Sequence, residues 1–252
     1  MSTIQIKKVL LVFVIGSFLV AYSGEGNQKQ EKKGLVTYVD GRVKKKALDS
    51  EDWITAAQNT EVLGGDKVRT YQMSRAELEL LQLDVVRMAP QTTIDIVKLY
   101  EETKEEKREI KINVEQGDIW AKVNPNKKGA KFTLTTPTTA AAITGTTLRM
   151  NVAPDSTTQL KVYQGEVHIT NAPERTDLRP QSIKPYEVPG PYQIPGPTEV
   201  TVEQWLYIIK SMQQITVSPR GQIVSKGSFS PKDPDEQSEW VKWNKQRDKL
   251  FK

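Results

Sequence analysis

From Leu35 to Thr170 the dominant spacing of apolar side chains is two, and this period constrains the chain more than any other feature. A strand sends successive side chains to opposite faces, so such alternation marks sheets with one buried side. The clearest stretch is Thr146–Thr170. Leu148, Met150 and Val152 alternate with polar residues, then Leu160 and Val162, then Val167 and Ile169. The loop Ala153–Thr157 sets Val152 opposite Thr158 and Met150 opposite Leu160. Gln164-Gly165 predicts a two-residue hairpin loop, with Gly supplying positive φ, that pairs Val162 with Val167 and Leu160 with Ile169. The three strands then form a meander in which a one-residue slip would turn each apolar set to water.

The same parity holds upstream. Ala76, Leu78 and Leu80 face Val86 and Met88 across a loop at Gln82–Asp84. Ile94 and Ile96 alternate next, then Ile110, Ile112 and Val114, then Ile119, Ala121 and Val123, and later Phe132 and Leu134. The charged run Glu101–Glu109 lies between alternating segments and reads as a solvated loop or hairpin tip. Gln116-Gly117-Asp118-Ile119 is echoed by Gln164-Gly165-Glu166-Val167, which reads as one turn chemistry used twice. Short strands at this spacing predict a sandwich, a barrel or a small β-solenoid.

The two ends differ from this body. Lys7 and Lys8 precede an apolar run, Val9–Val20, too short and too interrupted by Gly16 to match the ~20 apolar residues of a spanning helix. Ala21 and Ser23 then stand at the −3 and −1 positions of a cut before Gly24. This predicts a signal peptide over residues 1–23 and hence a periplasmic or secreted protein; the rival reading is an uncleaved anchor facing the periplasm. No cysteine follows the run, so a lipid-anchored lipoprotein is excluded. Residues 24–33 are polar and read as a disordered spacer. Residues 172–200 hold six prolines between 180 and 197 and read as an extended linker.

Residues 201–252 predict two helices. Thr201-Val-Glu-Gln204 fits a capping box, with Val202, Trp205, Leu206, Ile209 and Met212 on one face. Pro219-Arg-Gly221 marks a turn. Asp233-Pro234-Asp235-Glu236 starts the second helix, on which Trp240, Trp243 and Leu250 share a face. Trp205, Trp240 and Trp243 are the candidates for docking, either on the protein's own β body or on a partner.

Composition excludes several chemistries. There is no cysteine and one histidine, His168, so no thiolate nucleophile and no two-His metal site exists within the chain. His168 shares its face with Glu166 and Thr170 and reads as an exposed strand residue. Two units of the formal net charge of +5 are Lys7 and Lys8. The basic runs Arg42–Lys46 and Lys127–Lys128 lack interleaved aromatics, so nucleic acid is not an expected partner. No catalytic residue, metal or cofactor is expected.

Residues 34–171 also resemble a known family. They carry Gly41-Arg42-Val43, then Gly65-Asp66-Lys67-Val68-Arg69-Thr70, then Ser74 before an alternating strand. Pro90-Gln91-Thr92, Gly117-Asp118-Ile119-Trp120, Thr136-Pro137 and Gly145-Thr146 follow in order. This series is similar to that of the FecR domain family, known from bacterial envelope regulators and many secreted proteins. The family usually has a basic residue before Gly-Thr; Thr144 stands there in this chain. The resemblance implies one FecR-like antiparallel β domain, sandwich or solenoid; with the Pro-rich linker and the two C-terminal α-helices read above, the expected protein is mainly β. It implies an interaction module for an envelope protein or glycan. Only Met1–Lys8 precede the apolar run, so the cytoplasmic anti-sigma region of the sigma-regulating relatives is not expected. The alternatives are a membrane-anchored sensor, with membrane contact through an uncleaved N-terminus, and, last, an envelope hydrolase.

Overall fold

The structure, a computed structural model, describes residues 33–81, 84–102, 107–125, 130–171 and 204–250. The expected signal peptide, spacer residues 24–32 and the linker at 172–200 lie outside the described residues. In chain order the strands are β1 (Gly34–Asp40), β2 (Val43–Lys46), β3 (Ile54–Thr55), β4 (Glu61–Val62), β5 (Lys67–Thr70), β6 (Arg75–Glu79), β7 (Val85–Met88), β8 (Thr93–Glu102) and β9 (Lys107–Lys122). Then come β10 (Ala130–Thr135), β11 (Ala140–Ile143), β12 (Thr147–Val152), β13 (Thr158–Gln164), β14 (Glu166–Thr170), β15 (Leu206–Lys210), β16 (Gln213–Val217) and β17 (Ile223–Ser228). A 3-10 turn, Pro234–Gln237, leads into one helix, α1 (Glu239–Asp248).

Pairing sorts the strands into two layers. Layer A runs β3-β2-β5-β8-β9-β10-β11-β14-β15. Layer B runs β4-β1-β6-β7-β9-β12-β13-β16-β17. Strand β9 belongs to both: its first half pairs in A and its second half in B. The β9–β10 pairing is parallel; the other pairings among the described residues are antiparallel. The inward side chains of both layers, such as Val68, Ile94, Ile112 and Leu134 from A and Leu78, Val86, Ile119 and Leu160 from B, form one core cluster without solvent contact. Each such side chain contributes about 1.5–3 kcal/mol on burial.

The chain reaches this arrangement by winding between layers, and the corners have a common backbone signature. A residue of positive φ stands at Gly41, Asn59, Gly65, Met73, Gln91, Gly117, Gly145, Gly165 and Met212, each where the path leaves one layer for the other. Gly117 is the sharpest case. It breaks β9 at the change of layer with φ +102°, and a Cβ there would lie 2.5 Å from Thr92 Cα. Only glycine fits both the angle and the approach. The winding makes the fold a two-layer sandwich with the connectivity of a solenoid.

Two expected registers are observed: Leu148, Met150 and Val152 pair with Val162, Leu160 and Thr158, and Ala76 and Leu78 pair with Met88 and Val86. The hairpin at Gln164-Gly165 is not. There β13 leaves layer B and β14 enters layer A, so Val162 pairs with Leu148 and Gln213, and Val167 with Ile143 and Ile209. A positive-φ glycine serves a corner as well as a hairpin, and parity agrees with both. Strands β8 and β9 continue into the charged run, pairing Glu102 with Lys107.

The first expected C-terminal helix is corrected. Residues 206–217 are strands β15 and β16, with Met212 turning between them at φ +62°. Ile208 and Ile209 are β-branched, and the edge of layer A beside β14 offers their backbone a ladder; tertiary pairing overrides the helical spacing. The β body therefore extends past residue 171. The second helix exists but starts later than Asp233: the proline-led stretch closes as the 3-10 turn, and Ser238 caps α1 by accepting a hydrogen bond from Val241 N at 3.4 Å. Leu250 lies beyond α1 and is exposed rather than on the tryptophan face.

Candidate functional site

The densest polar cluster lies on the outer face of layer B. Alternation points Ala76, Leu78, Val86, Met88, Ile119, Ala121, Leu148, Met150, Leu160 and Val162 into the core. The residues between them face outward, and the registers bring these into one row across the layer: Tyr38, Glu77, Arg87, Trp120, Arg149, Lys161 and Gln214. Three cations thus stand in line beside a tryptophan.

The C-terminal segment covers this row with opposite charge. Arg87, without solvent contact, donates from Nε to Glu77 at 2.6 Å and from Nη1 to Asp248 at 2.6 Å. Arg247 donates two hydrogen bonds to the same Glu77, at 2.9 and 2.8 Å. Trp120 Nε1 donates to Asp248 at 3.0 Å, and Trp240 Nε1 to Asp118 at 3.1 Å. Arg149 grips Asp118 through Nε and Nη2 and reaches Asp235 at 2.9 Å. Lys161 bonds Asp235 at 2.7 Å and Glu236 at 3.1 Å; Tyr163 and Lys245 complete Glu236 at 3.0 and 3.1 Å. Aromatic rings fill the gaps: Trp120 with Tyr163 at 4.4 Å, Trp240 with Trp243 at 5.5 Å, and Trp243 with Tyr38 at 5.6 Å.

Burial and charge pull against each other here. Burial raises the Glu77 carboxyl, but the hydrogen bonds of Arg247 and Arg87 outweigh it and hold the group below its ordinary value. Asp235 is lowered in the same way, by Lys161 and Arg149. Burial, with Glu236 alongside, pushes the Tyr163 phenol up. Chemically the cluster is a clasp: each carboxylate in it faces a cation or an indole of the same chain. On the outer face of layer A a groove runs past Lys46, Leu48, Lys67, Val97, Lys98 and Tyr100. Its lysines pair with Glu51, Glu115 and Glu109. Among the described residues no cluster of three or more His, Asp or Glu could hold a metal.

The residues singled out in the sequence fall mostly at corners. Gly41 sits against Ser74, whose Oγ accepts from Arg42 N at 2.8 Å. Asp66 follows Gly65, accepts from Leu63 N at 2.9 Å and pairs with Lys45 at 2.9 Å. Thr70 Oγ1 donates to Ala89 O at 2.6 Å and accepts from Thr92 N at 3.0 Å. Thr92, just past Pro90, accepts from Asp118 N at 3.1 Å beside Gly117. Thr136 turns the Pro137 hairpin by accepting from Thr139 N at 3.0 Å, and Thr146, after Gly145, donates to Glu166 O at 2.9 Å. Buried threonine hydroxyls thus brace the crossings. From this series Trp120 and its neighbour Asp118 reach the clasp. Trp240 and Trp243 dock on layer B, and Trp205 Nε1 donates to Gly221 O at 2.9 Å. His168 lies on the outer face of layer A, 3.8 Å from Glu166.

Sequence reading missed the row of Glu77, Arg87, Arg149 and Lys161. Its signal is local and weak: a charge at the outward parity of an otherwise apolar strand, repeated in strands whose adjacency the sequence does not display.

Comparison with known proteins gives one family. Residues 66–168 match the family model described as FecR protein. Two similar solved structures are both of a candidate anti-sigma factor from Parabacteroides distasonis ATCC 8503. They are 15% and 14% identical, with TM-scores of 0.44 and 0.43, and each alignment covers 65% of this chain and 60% of that one. The aligned part thus spans about 60% of those chains' length. No curated protein matches the sequence.

Proposed function

Because the chain carries a FecR-type domain over residues 66–168, we propose that it is an exported, non-catalytic interaction module of the bacterial cell envelope, acting in signal transduction by binding a protein or glycan. The family match is the observation that carries this reading. The clasp supports it: its carboxylates are engaged by cations of the same chain rather than converging on a cleft, the arrangement a glycosidase would need. The leader-like N-terminus supports export.

Two measurements test the proposal. The mass of the mature protein gives its N-terminus: a start at Gly24 is expected, and a full-length chain held in the membrane would replace the exported module by an anchored sensor. Crosslinking in the native envelope, followed by identification of the attached species, is expected to yield a discrete partner. A chain that crosslinks to nothing above background would overturn the interaction role.

A further inference from the structure

The winding ends unevenly. At the N-terminal end the outermost strands, β3 and β4, have two residues each, the short edges that discourage unwanted pairing. At the other end β15 and β17 have five and six. On β15 an edge donor is already taken, since Lys210 N donates to the Gln213 side chain at 3.0 Å. Strand β17 has β16 on one side and, among the described residues, no strand on the other.

Ladder parity shows which groups of β17 are open. Phe229 N donates to Met212 O at 3.1 Å, and Gly227 and Ser225 stand opposite Gln214 and Thr216. Hydrogen-bonded pairs alternate along an antiparallel ladder. The amides and carbonyls of Lys226 and Ser228 therefore point away from β16, and both residues are exposed.

Within the stretch that forms β15 to β17 the charge has one sign. Leu206–Lys232 contains Lys210, Arg220, Lys226 and Lys232 and no Asp or Glu. Lys226 stands opposite the core residue Ile215, and its Nζ lies 4.2 Å from the centre of the Tyr207 ring on β15. It spans the mouth between the layers. An inward-set lysine at an edge rejects a plain apolar strand, whereas a strand that brings a carboxylate to the same place supplies a counter-charge that Lys226 does not have among the described residues. Two copies meeting edge to edge would set like charges against each other.

We propose that the β17 edge is a docking site for an extended, acidic segment of a partner protein, which adds to layer B through the backbone of Lys226 and Ser228 and sets a carboxylate at Lys226. This rests on the interaction role proposed above and names the chemistry of its partner.

The test uses the full chain and two soluble eight-residue peptides, threonine alternating with glutamate and threonine alternating with lysine. Labelled peptide anisotropy is expected to show binding of the glutamate peptide only, and amide exchange is expected to slow at Lys226 and Ser228. Lys226→Glu should weaken glutamate-peptide binding by at least about tenfold and admit the lysine peptide. Ser228→Pro removes one outward donor without changing charge and should also weaken it about tenfold. Unchanged exchange at both amides at saturating peptide, or binding indifferent to both variants, would overturn the site. So would slowed exchange there in concentrated protein without peptide, which would assign the edge to a second copy. A partner crosslinked in the envelope equally by wild type and K226E refutes this site and leaves the interaction role standing. Peptide binding without any crosslinked partner refutes the role instead.

Discussion

Replacing Arg87 by methionine tests the clasp directly. The change keeps an unbranched stem of similar length in a site without solvent contact and removes hydrogen bonds to Glu77 and Asp248, each 2.6 Å long. Hydrogen bonds to charged groups contribute about 1.5–3 kcal/mol apiece. Doubling that figure overshoots, because neither partner is abandoned. Glu77 keeps Arg247 at 2.9 and 2.8 Å and Thr37 at 2.9 Å; Asp248 keeps Trp120 and touches solvent. The buried methionine returns about 1.5–3 kcal/mol. The expected net loss is about 2 kcal/mol. Glu77→Leu differs in kind, for it strips a shared carboxylate from two guanidinium groups, one of them fully buried. Its expected loss is about 3–5 kcal/mol. Urea unfolding followed by tryptophan fluorescence reads both, since Trp120, Trp240 and Trp243 lie at the clasp, and amide exchange on α1 locates the effect. If R87M proves as stable as wild type, or costs as much as E77L, the clasp is not held by charge as described.

Other expectations follow from the same geometry. Glu77 has a folded pKa below its unfolded value near 4.5, so its contribution is full above that pH and is lost as pH falls through the folded value. The stability gap between wild type and Glu77→Gln should shrink on acidification. Asp84 runs the other way: burial, against the Asn124 amide and Arg108, pushes it up to about 6 from 3.8. Its contribution is greatest below 3.8 and declines as pH rises through about 6, so the gap to Asp84→Asn should narrow over that range in urea titrations. Gly117→Ala, which forces a Cβ against Thr92 at a φ of +102°, should cost about 2–4 kcal/mol in thermal or urea unfolding. Val162→Asp places an unpaired charge in a fully buried site and should cost several kcal/mol; an unchanged melting temperature would contradict the strand parity.

Parity was legible in the sequence because it is local. Leu148, Met150 and Val152 against Val162, Leu160 and Thr158 could be registered from loop length and alternation alone. The path between layers was not, because Gly165 satisfies a hairpin and a corner with the same φ and the same apolar set. The stretch 202–212 misled for a related reason. Val202, Trp205, Leu206, Ile209 and Met212 match a helical stripe, yet the deciding influence is the edge of β14, remote in the chain. The clasp was least visible. Glu77 and Arg247, or Arg87 and Asp248, are neighbours only after several strands have been laid side by side.

The alternating path has a kinetic consequence. Each hairpin rests on one laid down earlier in the same layer, while the intervening chain serves the other layer. A polypeptide emerging from its N-terminus can therefore add strands in the order they appear, with no need to thread a finished sheet. The clasp cannot join in until the end: Arg87 and Glu77 wait across 161 and 170 residues for Asp248 and Arg247. Until that closure the cations and Trp120 of the row on layer B lack the carboxylates of Asp235, Glu236 and Asp248 that engage them in the folded chain.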